Sequence, residues 1–158
     1  MMLFVSCSNH AQILKSTDNE YKFSAAKYYY GQKDYNRALQ LFDVLQSAYR
    51  GKPQGEEIAY LTAECYYNMK DYNIASHYYK RYAVNYPFAQ NVEHALFRSA
   101  CCYYMESPSI ELDQEDSYLA IKEFQSFINL YPQSSFIDSA NRLIDTLEYK
   151  IVEKDFNT

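Results

Sequence analysis

Residues Ile58 to Pro87 read IAYLTAECYYNMKDYNIASHYYKRYAVNYP, two amphipathic helical patterns divided by Met69-Lys70-Asp71-Tyr72. The first pattern carries the small residues Ala59, Thr62 and Ala63. The second sets Ala75, Tyr79 and Tyr82 at i, i+4 and i+7, one face of a helix. Thirty-seven residues earlier the design recurs: Ala26, Tyr29-Tyr30, Lys33-Asp34-Tyr35 and Ala38 stand to Ala63, Tyr66-Tyr67, Lys70-Asp71-Tyr72 and Ala75 at one constant offset. A further thirty-seven lands on Ala100 and Tyr103-Tyr104. The chain is built on an internal repeat, and each repeat is a pair of helices.

The repeat resembles the tetratricopeptide pattern, about thirty-four residues with a few added in the link between units. Matched position by position, the small packing residue of the first helix is Ala26, Ala63 and Ala100, and the alanine of the second helix is Ala38, Ala75 and Ala120. Phe42, Tyr79 and Phe124 follow four residues after these alanines, and Pro87 and Pro132 twelve after the later two. Small residues let antiparallel helices approach, aromatics fill the space between neighbouring units, and proline opens a new helix. The expected fold is all-α, a tetratricopeptide-repeat (TPR) α-solenoid of about three helical hairpins plus a capping helix.

Composition bounds the rest. The 158 residues, 48 % of them hydrophobic, suit one domain with a buried core. Nineteen tyrosines and nine phenylalanines with no tryptophan point to inter-helix aromatic packing, with phenol hydroxyls reaching the rim. A net charge of −5 and a pI near 5.2 argue against nucleic acid or an anionic membrane as an electrostatic partner. Three glycines and four prolines leave no flexible linker dividing the chain.

In chain order, Met1 to Cys7 (MMLFVSC) is a short apolar run ending in a small residue and a cysteine. It resembles the end of a bacterial lipoprotein signal peptide, in which Cys7 is acylated after cleavage. Val5 and Ser6 suit the two positions before the cysteine, whereas Phe4 stands where leucine is usual, and the run is short and lacks a basic leader. Residues 1–6 read as a signal remnant and 7–17 as a polar tether. The TPR domain spans 18–154, in units of about 18–53, 54–87 and 88–132 and a capping helix 133–154. Helices are expected from Asp18 to Tyr30 and Tyr35 to Tyr49, from Glu56-Glu57 after the Arg50-to-Gly55 turn, from Asn91 to Met105 and from Tyr118 to Tyr131. Glu106 to Ser117, ESPSIELDQEDS, is an inserted acidic loop. The last helix covers the stack with Phe136, Ile137, Ala140, Leu143, Ile144 and Leu147.

No catalytic constellation emerges. His10, His77 and His94 lack paired spacing, so no metal site is expected, and the glycines form no phosphate-binding loop. No enzyme and no cofactor are therefore expected. Cys65, Cys101 and Cys102 sit mid-helix, where cysteine behaves as a small hydrophobe. Equivalent positions on stacked helices lie about 10 Å apart, beyond the roughly 7 Å that a disulfide between Cys65 and Cys102 permits.

What remains is a surface. In tetratricopeptide proteins the first helix of each unit lines a groove, which here places Phe23, Tyr60 and Phe97 in one row and Tyr30, Tyr67 and Tyr104 in a second, with Lys27, Glu64 and Cys101 between. Such rows suit an extended apolar or aromatic peptide whose backbone the phenol hydroxyls bond. The alternative is that half of these rings pack against the neighbouring unit.

Four segments narrow the family. Leu14-Lys15-Ser16-Thr17-Asp18, Ala75-Ser76-His77-Tyr78-Tyr79, Leu112-Asp113-Gln114 and Tyr131-Pro132-Gln133-Ser134-Ser135 resemble the outer membrane protein assembly factor BamD family, in the form found in Bacteroidetes. The resemblance covers Cys7 to about Lys154. It implies a lipoprotein on the periplasmic face of the outer membrane, attached through Cys7, in the BAM machinery that inserts β-barrels. Its partners would be BamA, other assembly subunits and unfolded outer-membrane protein precursors, with no cofactor and no nucleic acid. Family members carry about five repeats; this chain shows three and a half, which leaves the BamA contact open and the groove intact. The other readings are a periplasmic TPR adaptor of the CpoB and Tol-Pal kind and a SusD-like glycan-binding lipoprotein. The absence of tryptophan counts against the last.

Overall fold

Residues 4–107 and 115–156 are described by the computed structural model, with side chains over 9–107 and 115–153. They form eight α-helices and, among the described residues, no strand: α1 (Phe4–Lys15), α2 (Asn19–Gly31), α3 (Tyr35–Leu45), α4 (Pro53–Asn68), α5 (Tyr72–Asn85), α6 (Val92–Glu106), α7 (Glu115–Leu130) and α8 (Ile137–Phe156). The fold is all-α, of the tetratricopeptide-like helical-hairpin kind. Contacts divide the chain into two compact units, Met1–Met69 with α1 to α4 and Lys70–Thr158 with α5 to α8.

In the first unit α2 and α3 form the hairpin that the repeat implies. Asp18 caps α2, its Oδ1 accepting from the Tyr21 amide at 3.0 Å, and Asp34 caps α3, accepting from the Arg37 amide at 3.3 Å. A cap of this kind contributes about 1 kcal/mol. Between them the chain closes with two crossed bonds, Lys33 N–H to Tyr30 O and Asp34 N–H to Tyr29 O, both 2.9 Å. This closure requires Lys33 to adopt a left-handed backbone, φ 60°. Lys70 takes the equivalent conformation, φ 67°, in the next copy of the turn. Ala26 and Ala38, both fully buried, let the hairpin close, and Phe23, Leu41, Phe42, Leu45, Tyr49, Ile58 and Cys65 complete the core.

In the second unit α5 packs on α6, α6 on α7, and α8 on both α6 and α7. Ala100, Ala120 and Ala140 are fully or almost fully buried, and Phe124, Phe127 and Leu147 fill the space they leave. Each repeat-matched alanine and each aromatic four residues after the second-helix alanine is buried, including Ala63, Ala75 and Tyr79.

Several boundaries differ from expectation. The polar stretch read as a tether is helical: α1 runs to Lys15 and buries His10 and Ile13 against the α2–α3 hairpin. Helix α3 gives way to turns after Leu45, short of Tyr49. Helix α4 begins at Pro53 rather than Glu56, because proline suits the first helical position, where its missing N–H is unneeded. Helix α7 begins at Glu115, so Glu115 and Asp116 belong to a first turn, where the helix dipole favours carboxylates. The remainder of the acidic insertion, 108–114, and the Cys7 side chain lie outside the described residues.

Candidate functional site

The groove residues of the first unit come from α2 and α4, each contributing i, i+4 and i+7 positions: Phe23, Lys27 and Tyr30 from one, Tyr60, Glu64 and Tyr67 from the other. The two helices are tied at this face by Lys27 Nζ and Glu57 Oε1, 3.3 Å apart and both half-exposed. An ion pair so exposed fixes register more than it stabilises. The rings are not equally available. Phe23 is buried, tilted against Tyr49 with centroids 5.7 Å apart and covered by Lys27 Nζ at 4.7 Å from its centroid. Tyr30, Tyr60 and Tyr67 are half-buried, Tyr30 meeting Tyr35 edge-on at 5.8 Å, and Glu64 is buried. Phe23 therefore supports this face from beneath, while Lys27 and the three tyrosines present it.

In the second unit the corresponding rings are half-buried and meet Phe136 and α8. Phe97 stacks on Phe136 and meets Phe127 at 5.5 Å and Phe124 at 6.1 Å. Tyr104 lies under Lys150, whose Nζ is 5.5 Å from the ring centroid and donates to Ser107 Oγ at 3.1 Å. Phe97 and Tyr104 are thus held by α8. Cys101 is half-buried, and burial pushes its thiol up to about 11 despite the opposing charge of Arg98. Cys65 is buried and rises to about 12, through burial and then the Glu64 carboxylate. Both thiols are protonated and inert at neutral pH.

Two polar clusters escaped the sequence. Tyr49 donates its phenol proton to Glu20 at 2.6 Å, and burial, that bond and the Glu20 and Asp18 charges together raise the phenol to about 12. Lys80 of α5 donates to Glu123 of α7 at 2.8 Å and to the Tyr103 hydroxyl of α6 at 3.1 Å, joining three helices through one ammonium. Neither is visible from spacing, since each pair is separated by more than twenty residues. Among the described residues no three His, Cys, Asp or Glu side chains are grouped to hold a metal, and no helix is long and apolar enough to cross a membrane.

Paired helices closed by alanines, with tyrosines and one lysine on the faces of the first helices, define a tetratricopeptide-like helical protein. The match of a family model over residues 15–158 makes it more particular: the chain belongs to the YfiO family, described as outer membrane lipoprotein. That family is one of lipoproteins and not of enzymes. No curated protein matches the chain.

Proposed function

We propose that this protein is a lipid-anchored subunit of the β-barrel assembly machinery on the periplasmic face of the outer membrane, acylated at Cys7, binding BamA and unfolded barrel precursors. The observation that carries it is the YfiO-family match across nearly the whole chain, together with the BamD-like segments from Leu14 to Ser135. Precursor recognition is assigned to the α2–α4 face: Lys27 supplies a cation, and Tyr30, Tyr60 and Tyr67 supply half-buried rings whose hydroxyls can bond an extended backbone. Phe97 and Tyr104, half-buried in the second unit against Phe136 and Lys150, are assigned the same kind of contact there.

The test is affinity purification of the protein, tagged at its C-terminus and expressed at its native locus, from detergent-solubilised outer membranes, with mass spectrometry of partners and of the N-terminal peptide. Co-purification of BamA with an acylated Cys7 is the expected result. Recovery of Tol-Pal components without BamA would move the assignment to a periplasmic adaptor, and an unmodified N-terminus would remove the anchor.

A further inference from the structure

Helix α1 fills the stretch between Cys7 and the first hairpin, and it is docked rather than free. His10 is buried: its Nε2 meets Gln40 Oε1 of α3 at 2.8 Å, and its ring meets Tyr29 of α2 edge-on at 5.2 Å. Ile13 is buried in the core that α2 and α3 share. The link to α2 has no slack. Ser16 N–H bonds Ile13 O at 3.1 Å, Asp18 N–H bonds Ser16 Oγ at 3.1 Å, and Asp18 then caps α2. A flexible stretch over residues 7–17 would let its ends drift about 17–20 Å apart. A docked helix allows no such excursion.

The docking also fixes a direction. Lys15 joins the start of α2 through the short link, whereas His10 meets Tyr29 close to the end of α2, so α1 runs antiparallel to α2. Residue 7 precedes His10 in the same helix by about 4.5 Å of axis. Its backbone is therefore level with the α2–α3 turn, residues 32–34, and not with the opposite end of the hairpin, where α3 gives way after Leu45, roughly 16 Å away.

That turn suits a headgroup layer. Asp34 and Arg37 pair with each other at 3.0 Å, so exposed Lys33 carries the net positive charge of the turn. Tyr28, 64 % exposed, stands within one helical turn of it. Tyrosine and lysine both settle at a membrane–water interface, the ring at headgroup level and the ammonium on phosphate oxygens. The chain's net charge of −5 would not draw it to lipid; an acyl anchor at residue 7 does.

We infer that α1 is a stiff stand that seats the first unit on the bilayer by its α2–α3 turn, with Lys33 and Tyr28 in the phospholipid headgroup layer. The inference rests on acylation at Cys7, as proposed above. Lys27 and Tyr30 then lie within about 6 Å of helix axis from the end of α2, so the precursor face opens beside the membrane.

The experiment uses the full acylated chain in vesicles of phosphatidylethanolamine and phosphatidylglycerol, with the photocrosslinker p-benzoylphenylalanine in place of either Tyr28 or Ser47, an exposed residue at the far end of the hairpin. Mass spectrometry first establishes the lipid on Cys7 and then measures phospholipid adducts at each position. The expected yield is about fivefold higher at residue 28 than at residue 47, because a docked stand holds one end of the hairpin at the surface and the other a helix length away. Lys33→Glu should lower the yield at residue 28 by about twofold or more. A Gly-Ser insertion of about six residues after Ser8 leaves every docked side chain in place but parts the anchor from His10, and should bring the two yields together. With Cys7 acylated, equal yields in the chain without the insertion, a higher yield at residue 47, or a ratio that the insertion leaves unchanged would overturn the stand. A yield unmoved by Lys33→Glu would overturn the assigned headgroup contact. An unmodified Cys7 would overturn the anchor itself, and the seating with it.

Discussion

Phe97 of α6 and Phe136, the residue before α8, stack with centroids 4.7 Å apart and planes 12° from parallel. Phe97 belongs by its repeat position to a row expected to line a groove, and Phe136 makes it an inter-helix contact. The same stack brings His94 to 5.6 Å from Phe136, and Glu93 bonds Ser134 in the turn before it. The start of α8 is therefore fastened to the first turns of α6 by two ring contacts and one hydrogen bond.

Phe136→Ala should cost about 2 kcal/mol, below the 3–5 of a fully buried phenylalanine because the ring is half-buried. Hydrogen exchange would show the loss first in α8 amides, with α2 and α3 unchanged. Uniform acceleration across both units would mean that the stack does not act locally.

Lys33 and Lys70 hold left-handed backbones, φ 60° and 67°, where a side chain is penalised and glycine is not. Lys33→Gly should raise stability by about 0.5–1 kcal/mol after allowing for glycine's greater freedom when unfolded. Lys33→Val should lower it. Urea midpoints of the two variants moving in the same direction would contradict the Schellman-type closure assigned to this turn.

The α2–α3 and α6–α7 hairpins were legible because the packing residues recur: Ala26, Ala63 and Ala100, thirty-seven residues apart, are all buried. Helix α1 was not legible, because its only buried described residues are His10 and Ile13, too few to write an apolar stripe among polar neighbours. Pro53 and Glu115 were read as turn and loop residues although both suit a helix's first turn, a choice that local composition leaves open. The residues of the two rows lie on α2, α4 and α6, and which of their rings stay accessible depends on what packs over them. Phe136 lies thirty-nine residues beyond Phe97, and no repeat register joins them.

Tyr49 should titrate late. Its phenol stays protonated in the folded chain to about 12, whereas an unfolded tyrosine ionises near 10. Because the folded pKa of this acid is raised, the unfolded state loses its proton first, and stability falls as pH climbs from about 10 towards 12. Tyr49→Phe removes that part of the alkaline slope and, by deleting the bond to Glu20, costs about 1 kcal/mol at neutral pH. Absorbance at about 295 nm across the alkaline range tests the assignment: the difference between wild type and Tyr49→Phe must appear at the high-pH end, and a difference centred near 10 would remove it.

Lys80 should follow the same pattern, stabilising at neutral pH and losing that contribution in alkali. Partial burial lowers an ammonium's pKa, but the bonds to Glu123 and Tyr103 and their charges outweigh it, so the net direction is up. For a base raised on folding, the stabilisation is fully present below the ordinary lysine value, about 10.4, and is lost as pH rises through the folded value. Lys80 and Glu123 are both partly in water, 39 % and 28 % exposed at the side chain, so screening limits the contribution to about 0.5–1 kcal/mol. Lys80→Met keeps the aliphatic stem and removes the ammonium. Urea unfolding of the two proteins should differ by a constant amount over the neutral range and converge in alkali above the lysine pKa, with a smaller gap in high salt. A gap independent of both pH and salt would mean that the stem's packing, and not the charge shared among α5, α6 and α7, accounts for the effect.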